Sequence, residues 1–393
     1  MRISKAALPA LLILGAAFSP GNSQNYVKEA YPPPQQHVFY AFLPHLSASV
    51  DGLLPCPPSK FGIHTMLQDY PVSEIRAHLD LAKELVGECG LVKYIVADIG
   101  VNGKNPDLAK AAEFVRQAYQ RNLVPVLRMQ GHLQRQAWQK PARDYSQTGQ
   151  MYAEALLQIQ KLSGHKVPYI QLWNEPNLAG EWGGSPNAAE YSSFHVATGK
   201  AIRKSSPGTK LTNAPLAMTE GTPDGLNINT FRFIDDMFTA EPTLADYIDV
   251  LAVNEYARSA GCLGMKENEA ECLGGYRLQL ANIAKHFQAA GLDVPKVMIM
   301  EASPSIVSSS WEAGPTIQAS FTPEQFTRFY MQLLNDSRVE GIIPFSLTAG
   351  KRGEWQGFAW ADSSLRPGAY FRAVSSLRTR WQAHLKDGSS GAP

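Results

Sequence analysis

Apolar and polar positions along this chain follow two alternating periods. Short apolar runs of β type recur eight times: Lys60–Met66, Val92–Ile99, Leu123–Met129, Tyr169–Trp173, Lys210–Leu216, Tyr247–Asn254, Lys296–Met300 and Gly341–Leu347. Segments of helical period lie between them. One starts at Ser73 and places Ile75, Leu79, Ala82 and Val86 on one face. Another opens with the capping box Asn187-x-x-Glu190. A third has Thr322 as N-cap, Pro323 at the first helical position and Gln325 closing the box, followed by the stripe Phe326, Phe329, Tyr330, Leu333, Leu334. Eight strands, each followed by a helix, predict an α/β protein of the (β/α)8 TIM-barrel type. A doubly wound open sheet is the alternative, but it should carry a Gly-rich phosphate turn after an early strand, and the sequence has none.

The ends of the chain read differently. Arg2 and Lys5 precede an apolar run from Ala6 to Phe18, too short to span a bilayer. Gly21 and Ser23 suit the −3 and −1 positions of a cleavage site, so residues 1–23 are expected to be a secretory signal peptide. Residues 24–59, with "YPPPQQ" and "LLPCPPSK", are expected to form an arm packed on a barrel spanning 60–385, and 386–393 a flexible tail. No second apolar run reaches membrane length. The mature chain is therefore expected to be soluble, without a membrane anchor, and secreted or periplasmic.

Composition narrows the partners. The 393 residues are 44% hydrophobic with a formal net charge of +1, and no run of Lys or Arg exceeds two. Neither nucleic acid nor an anionic membrane is implied. Low charge with many aromatic residues suits a neutral, ring-shaped ligand. An oxidising compartment suits the four cysteines. In the expected barrel Cys56 and Cys89 both precede strands, at the N-terminal face. Cys262 and Cys272 both follow strand 6, at the opposite face. Pairing 56–89 and 262–272 needs no long reach.

Barrels of this type work at the C-terminal ends of their strands. Strand 4 there runs into "WNEPNL", with Glu175, and strand 7, "KVMIMEASPS", ends in Glu301. Alternation groups Tyr169, Gln171, Trp173 and Glu175 on one side of strand 4, and Val297, Ile299 and Glu301 on one side of strand 7. With both sets inward, two carboxylates face each other across the mouth. Such a pair is what glycoside hydrolysis requires, and strands 4 and 7 are expected to hold it about 5–5.5 Å apart, the retaining geometry. Pro176 is expected to keep Glu175 extended.

"WNEPNL" with a second Glu ending strand 7 resembles the clan A glycoside hydrolases, and is most similar to family 39-type enzymes. The resemblance covers roughly residues 60–385. It implies Glu175 as acid/base, Glu301 as nucleophile, Asn174 on the sugar 2-hydroxyl and, from "VNEYA", Tyr256 bonded to the nucleophile. Strict alternation turns Asn174 away from the cleft, so the strand end must twist or bulge there. Where the family usually has a His, two residues before this Tyr, the chain has Asn254. Glu255 is a rival carboxylate, otherwise a solvated loop residue. Arg128, ending strand 3, either holds the nucleophile ionised or forms a structural ion pair. His64, ending strand 1, is either a sugar-hydroxyl contact or a core His. Asp98 reads as a loop or helix cap. Trp138, Trp182, Trp311 and Trp355 fall in loops on the active face, where their rings suit the apolar faces of sugars. Clan A enzymes often place a Trp after strand 8, which favours Trp355. The expected activity is that of a monomeric retaining glycosidase acting on a carbohydrate without metal or organic cofactor. The alternatives are a non-catalytic carbohydrate-binding barrel, or a transglycosylase using the same residues.

Overall fold

The structure is a computed structural model that describes residues 56–386 apart from 102, 135–136, 257–273, 304, 309–315, 320–321 and 352–354. The expectations for the signal peptide, all but the last residues of the arm, the tail, Trp311 and the Cys262–Cys272 bond fall outside the described residues.

All eight expected strands are present: β1 Gly62–His64, β2 Leu91–Val96, β3 Val124–Met129, β4 Tyr169–Leu172, β5 Lys210–Thr212, β6 Leu251–Tyr256, β7 Val297–Ser303 and β8 Val339–Ile342. Neighbours in sequence pair in parallel from β1 to β5 and from β6 to β8. Single parallel bridges, Thr212 to Val250 and Phe61 to Ile342, join these two sheets into a closed ring. The helices α1 Val72–Val86, α2 Leu108–Tyr119, α3 Tyr145–Ser163, α4 Ala188–Ser205, α5 Thr230–Ala240, α6 Gly274–Ala289, α7 Pro323–Asn335 and α8 Ala369–Lys386 follow the strands in turn. This is the (β/α)8 barrel that the alternation of periods predicts. No helix of the described residues is long and apolar enough to cross a membrane.

Two apolar layers hold the ring. Inside it, Leu91, Val124, Val126, Tyr169, Ala252, Met298 and Met300 fill the lumen. Outside it, the alternate residues Val92, Leu127, Ile170, Val253 and Ile299 pack against helix faces such as Ile75, Leu79, Ala82 and Val86 of α1. Gly62 sits at the closing seam, where a Cβ would meet Ile342 O, Ile343 Cγ1 and Leu91 Cβ at 2.9 Å.

Helix starts follow the side-chain chemistry. α7 has the full capping box of Thr322 and Gln325 with Pro323 in the first turn. At α4 only half of the expected box forms. Asn187 accepts from Glu190 N, but the Glu190 carboxylate turns away to Lys140 Nζ at 2.6 Å and Trp182 Nε1 at 3.3 Å. At the N-terminal face Cys56 and Cys89 are disulfide-bonded, Cα–Cα 5.7 Å, tying the chain before β1 to the turn before β2.

Candidate active site

The C-terminal mouth of the ring collects the polar residues. β4 delivers its carboxylate by breaking the strand. Trp173 takes φ 77° and Glu175 φ 39°, both left-handed. The extended backbone expected of Glu175 before Pro176 is not what forms. Glu175 N donates to Pro215 O at 2.9 Å, and Leu178 N to Glu175 O at 2.9 Å. Asn177, fully buried, clamps the turn, its Oδ1 accepting from Ala217 N at 3.1 Å and its Nδ2 donating to Ala217 O at 2.9 Å. Those bonds outweigh strain on the order of 1–3 kcal/mol per left-handed residue. The same turn reverses Trp173. Alternation places it inward, yet its ring packs edge-to-face on Trp182 at 5.0 Å, in the helix layer. Asn174 and Glu175 are thereby released toward the mouth, which supplies the twist that strict alternation lacks.

β7 solves the opposite problem. Met298 and Met300 point into the lumen and Val297 and Ile299 outward, the reverse of the expected grouping. Alternation alone would bury Glu301 against the helices. The register shifts instead: Val253 pairs with Ile299, and Asn254 with Glu301. Met300 is the extra residue of a β-bulge, and the bulge returns Glu301 to the inside.

The two carboxylates meet at Asn254. Its Nδ2 donates to Glu175 Oε1 at 2.7 Å and to Glu301 Oε2 at 3.4 Å. Both oxygens lie within reach of one nitrogen, which caps their separation at about 6 Å. Tyr256 Oη donates to Glu301 Oε2 at 2.8 Å. On the other oxygen, Glu301 Oε1 faces Arg128 Nη1 and Lys93 Nζ, both at 3.5 Å. Burial, then the neighbouring Glu301 and Glu181 carboxylates, push the Glu175 carboxyl up to about 8, against the Asn254 hydrogen bond and Arg128. At neutral pH Glu175 therefore carries a proton. Burial and the Glu301 and Glu175 carboxylates raise the Tyr256 hydroxyl well above its ordinary range, so it remains a donor.

The other expected residues divide. Arg128 belongs to the site. It also reaches Glu181 Oε2 at 3.3 Å and lies 5.6 Å over the Trp138 ring. His64 points into the ring, fully buried, its two ring nitrogens without a hydrogen-bond partner among the described residues. Burial and the nearby Lys93 and Arg128 charges hold it neutral. Trp355 is half-buried in an apolar wall of the mouth with Met66, Ile95, Phe345, Phe358, Trp138 and Tyr256. Asn174 is buried, its Oδ1 accepting from Gln171 Nε2 at 3.3 Å. Trp182, expected as a plate on the cleft, is fully enclosed by Trp173, Tyr191 and Phe194 and offers no face to a ligand. Glu255 is neither rival nor solvated loop. It is 3% exposed, on the outward side of β6, and accepts from Tyr276 N in the first turn of α6 at 2.6 Å. Asp98 lies in the loop after β2, the first of its two expected readings, and pairs with His132 Nδ1 at 2.7 Å.

Three residues escaped the sequence reasoning. Lys93 is a lone cation inside the apolar run "LVKYIV", a signal that was there to be read. Glu181, pushed up to about 7 by burial with Arg128 opposing, ends the 3-10 turn Ala179–Glu181, and Gln130 follows β3; neither carries such a mark. Among the described residues no cluster of His, Cys, Asp and Glu is arranged to hold a metal ion.

No known family profile matches the chain, and no curated protein sequence matches it. Solved structures do. A GH39 enzyme from Xanthomonas axonopodis pv. citri superposes with a TM-score of 0.54 at 15% identity, over 82% of this chain and 67% of its own. A glucosidase from Croceicoccus marinus gives 0.59 at 13%, over 82% and 68%. A monomeric β-xylosidase from Caulobacter crescentus gives 0.52 at 12%, over 82% and 69%. At these identities the likeness is one of fold.

Proposed function

We propose that this chain is a secreted glycosidase that cleaves O-glycosidic bonds with retention of configuration. The observation that carries the reading is the single Asn254 amide between Glu175 and Glu301. A ceiling of about 6 Å on the two oxygens fits the 5–5.5 Å of retaining enzymes. An inverting pair holds its carboxyl groups farther apart, about 6.5–9.5 Å, with a water between them. Barrels of the same fold bearing the names glucosidase and β-xylosidase raise the prior by analogy of fold. The Cys56–Cys89 bond and the signal-like N-terminus support export into an oxidising compartment.

The chemistry assigns unlike tasks to the two carboxyls. Protonated Glu175 donates to the departing glycosidic oxygen while Glu301 attacks the anomeric carbon, and a glycosyl-enzyme forms. Glu175, now ionised, takes a proton from water, whose oxygen displaces Glu301 and completes the second inversion. Tyr256 and Arg128 hold the Glu301 carboxylate. In this reading Asn174 bonds the sugar 2-hydroxyl, and Trp355 and Trp138 cover an apolar ring face.

The test separates the roles. Glu301→Gln should abolish turnover of every glycoside, however good its leaving group. Glu175→Gln should spare the first step for an aryl glycoside of an acidic phenol far more than for a natural glycan. The glycosyl-enzyme then accumulates, and added azide releases a glycosyl azide of unchanged configuration. Loss of less than about tenfold in both variants, roughly 1.4 kcal/mol of barrier, would sink the two-carboxylate reading. So would an inverted first product.

A further inference from the structure

We propose that Lys93 is a positioning residue for this reaction: a buried ammonium beneath the mouth that sets the Glu301 carboxylate in place from below and couples it to the strand end bearing Glu175. The proposal rests on the glycosidase reading only for the reaction it serves.

Lys93 lies in the middle of β2, points into the lumen and is 0% exposed. An ammonium there is costly unless every proton finds an acceptor and a counter-charge is close. The three protons have three acceptors: Met300 O at 2.8 Å, Gln171 Oε1 at 3.4 Å and Glu301 Oε1 at 3.5 Å. Met300 is the extra residue of the β7 bulge, so Lys93 bonds the backbone of the irregularity that turns Glu301 inward. Gln171 relays the contact along β4. Its Nε2 donates to Trp173 O at 2.7 Å and Asn174 Oδ1 at 3.3 Å, the backbone and side chain of the left-handed turn before Glu175. One side chain thus bonds the β7 bulge directly and reaches the left-handed turn of β4 through Gln171. A spacer role would be met by an apolar side chain, like those of the neighbours Val126 and Met298 in the lumen.

The charge balance agrees. Glu301 faces Lys93 from β2, Arg128 from β3, Glu175 from the end of β4, and Asn254 and Tyr256 from β6. His64 from β1 is held neutral, and Arg128 is shared with Glu181. Lys93 is the one cation among these that neither Glu181 nor Glu175 engages within ion-pair distance. Burial lowers its ammonium to about 8, and the Glu301 charge opposes that drop.

Two measurements test this. In Lys93→Met, similar in length and uncharged, kcat for an aryl glycoside should fall about 10- to 100-fold, the size of a lost charged hydrogen bond. KM should hold, and the acid limb of kcat/KM should move up by about one pH unit. Lys93→Gln, which keeps an N–H for Met300 O, should fall between wild type and Lys93→Met. Loss of melting temperature with an unmoved acid limb in a folded variant would overturn the proposal. The second measurement needs neither turnover nor a folded Lys93 variant. The side-chain NMR titration of Lys93 should show a midpoint near 8 in the wild type and about one unit lower in Glu301→Gln. An unchanged midpoint would overturn the coupling. A shifted midpoint in a protein that cleaves no glycoside would support the coupling and refute only the glycosidase reading.

Discussion

Glu175→Gln should make the protein more stable, and the gain should grow with pH. The Glu175 carboxyl is raised from its ordinary 4.5 to about 8 in the folded state, through burial and the Glu301 and Glu181 charges. Between those two values the unfolded chain has released this proton while the folded chain still holds it. The folded state binds more protons there, so its stability falls as pH rises, at up to about 1.4 kcal/mol per unit. The full interval sets a ceiling of about 5 kcal/mol. Glu175 is partly open to the cleft, and solvent screening reduces this to about 2–3 kcal/mol. Glutamine keeps the size and the Oε1 acceptor for Asn254 but cannot ionise. Urea titrations of both proteins from pH 4 to 9 should therefore give near-equal stabilities at the acid end. The variant should lead increasingly up to pH 8, with a constant lead beyond. A lead that does not vary with pH, or a variant less stable at pH 8, would refute the claim that this carboxyl is held protonated by its surroundings.

Other consequences are open to direct measurement. Removing the disulfide with Cys56→Ser and Cys89→Ser frees a 33-residue separation and should lower stability by about 3–4 kcal/mol on loop entropy, read by denaturant unfolding; a loss under about 1 kcal/mol would refute that magnitude. Trp182→Ala should destabilise by about 3–5 kcal/mol through the cavity it leaves, without the selective rise in KM expected of a sugar plate. Tyr256→Phe removes the 2.8 Å bond to Glu301 Oε2 and should reduce kcat/KM about 10- to 100-fold, while circular dichroism and melting stay close to wild type.

The barrel was legible because its signals are local. Each strand is a short apolar run, each helix has a stripe at its own period, and Thr322 with Gln325 marks a start without reference to the rest of the chain. Pairing Cys56 with Cys89 needed one further step, the shared face on which both residues fall once the order of strands is known. Side-chain direction at the strand ends was less legible. Alternation placed Tyr169 and Gln171 correctly and failed at Trp173. It also gave the wrong parity for Val297 and Ile299, and a bulge cancelled that error at Glu301.

The sequence by itself determined the eightfold alternation, the strand ends at which Glu175 and Glu301 stand, and the aromatic supply of the mouth, because these depend on periodicity and on residue type. Tertiary structure alone decided that Asn254 bridges the carboxylates, that Glu255 turns to α6 and that Trp182 is core. It also decided that Lys93 and Glu181 belong with the site. Those outcomes depend on bonds between groups far apart in sequence, such as Asn254 to Glu175 and Lys93 to Met300. Such bonds hold the backbone in left-handed and bulged conformations that no local preference favours, so they are visible only once the ring has closed.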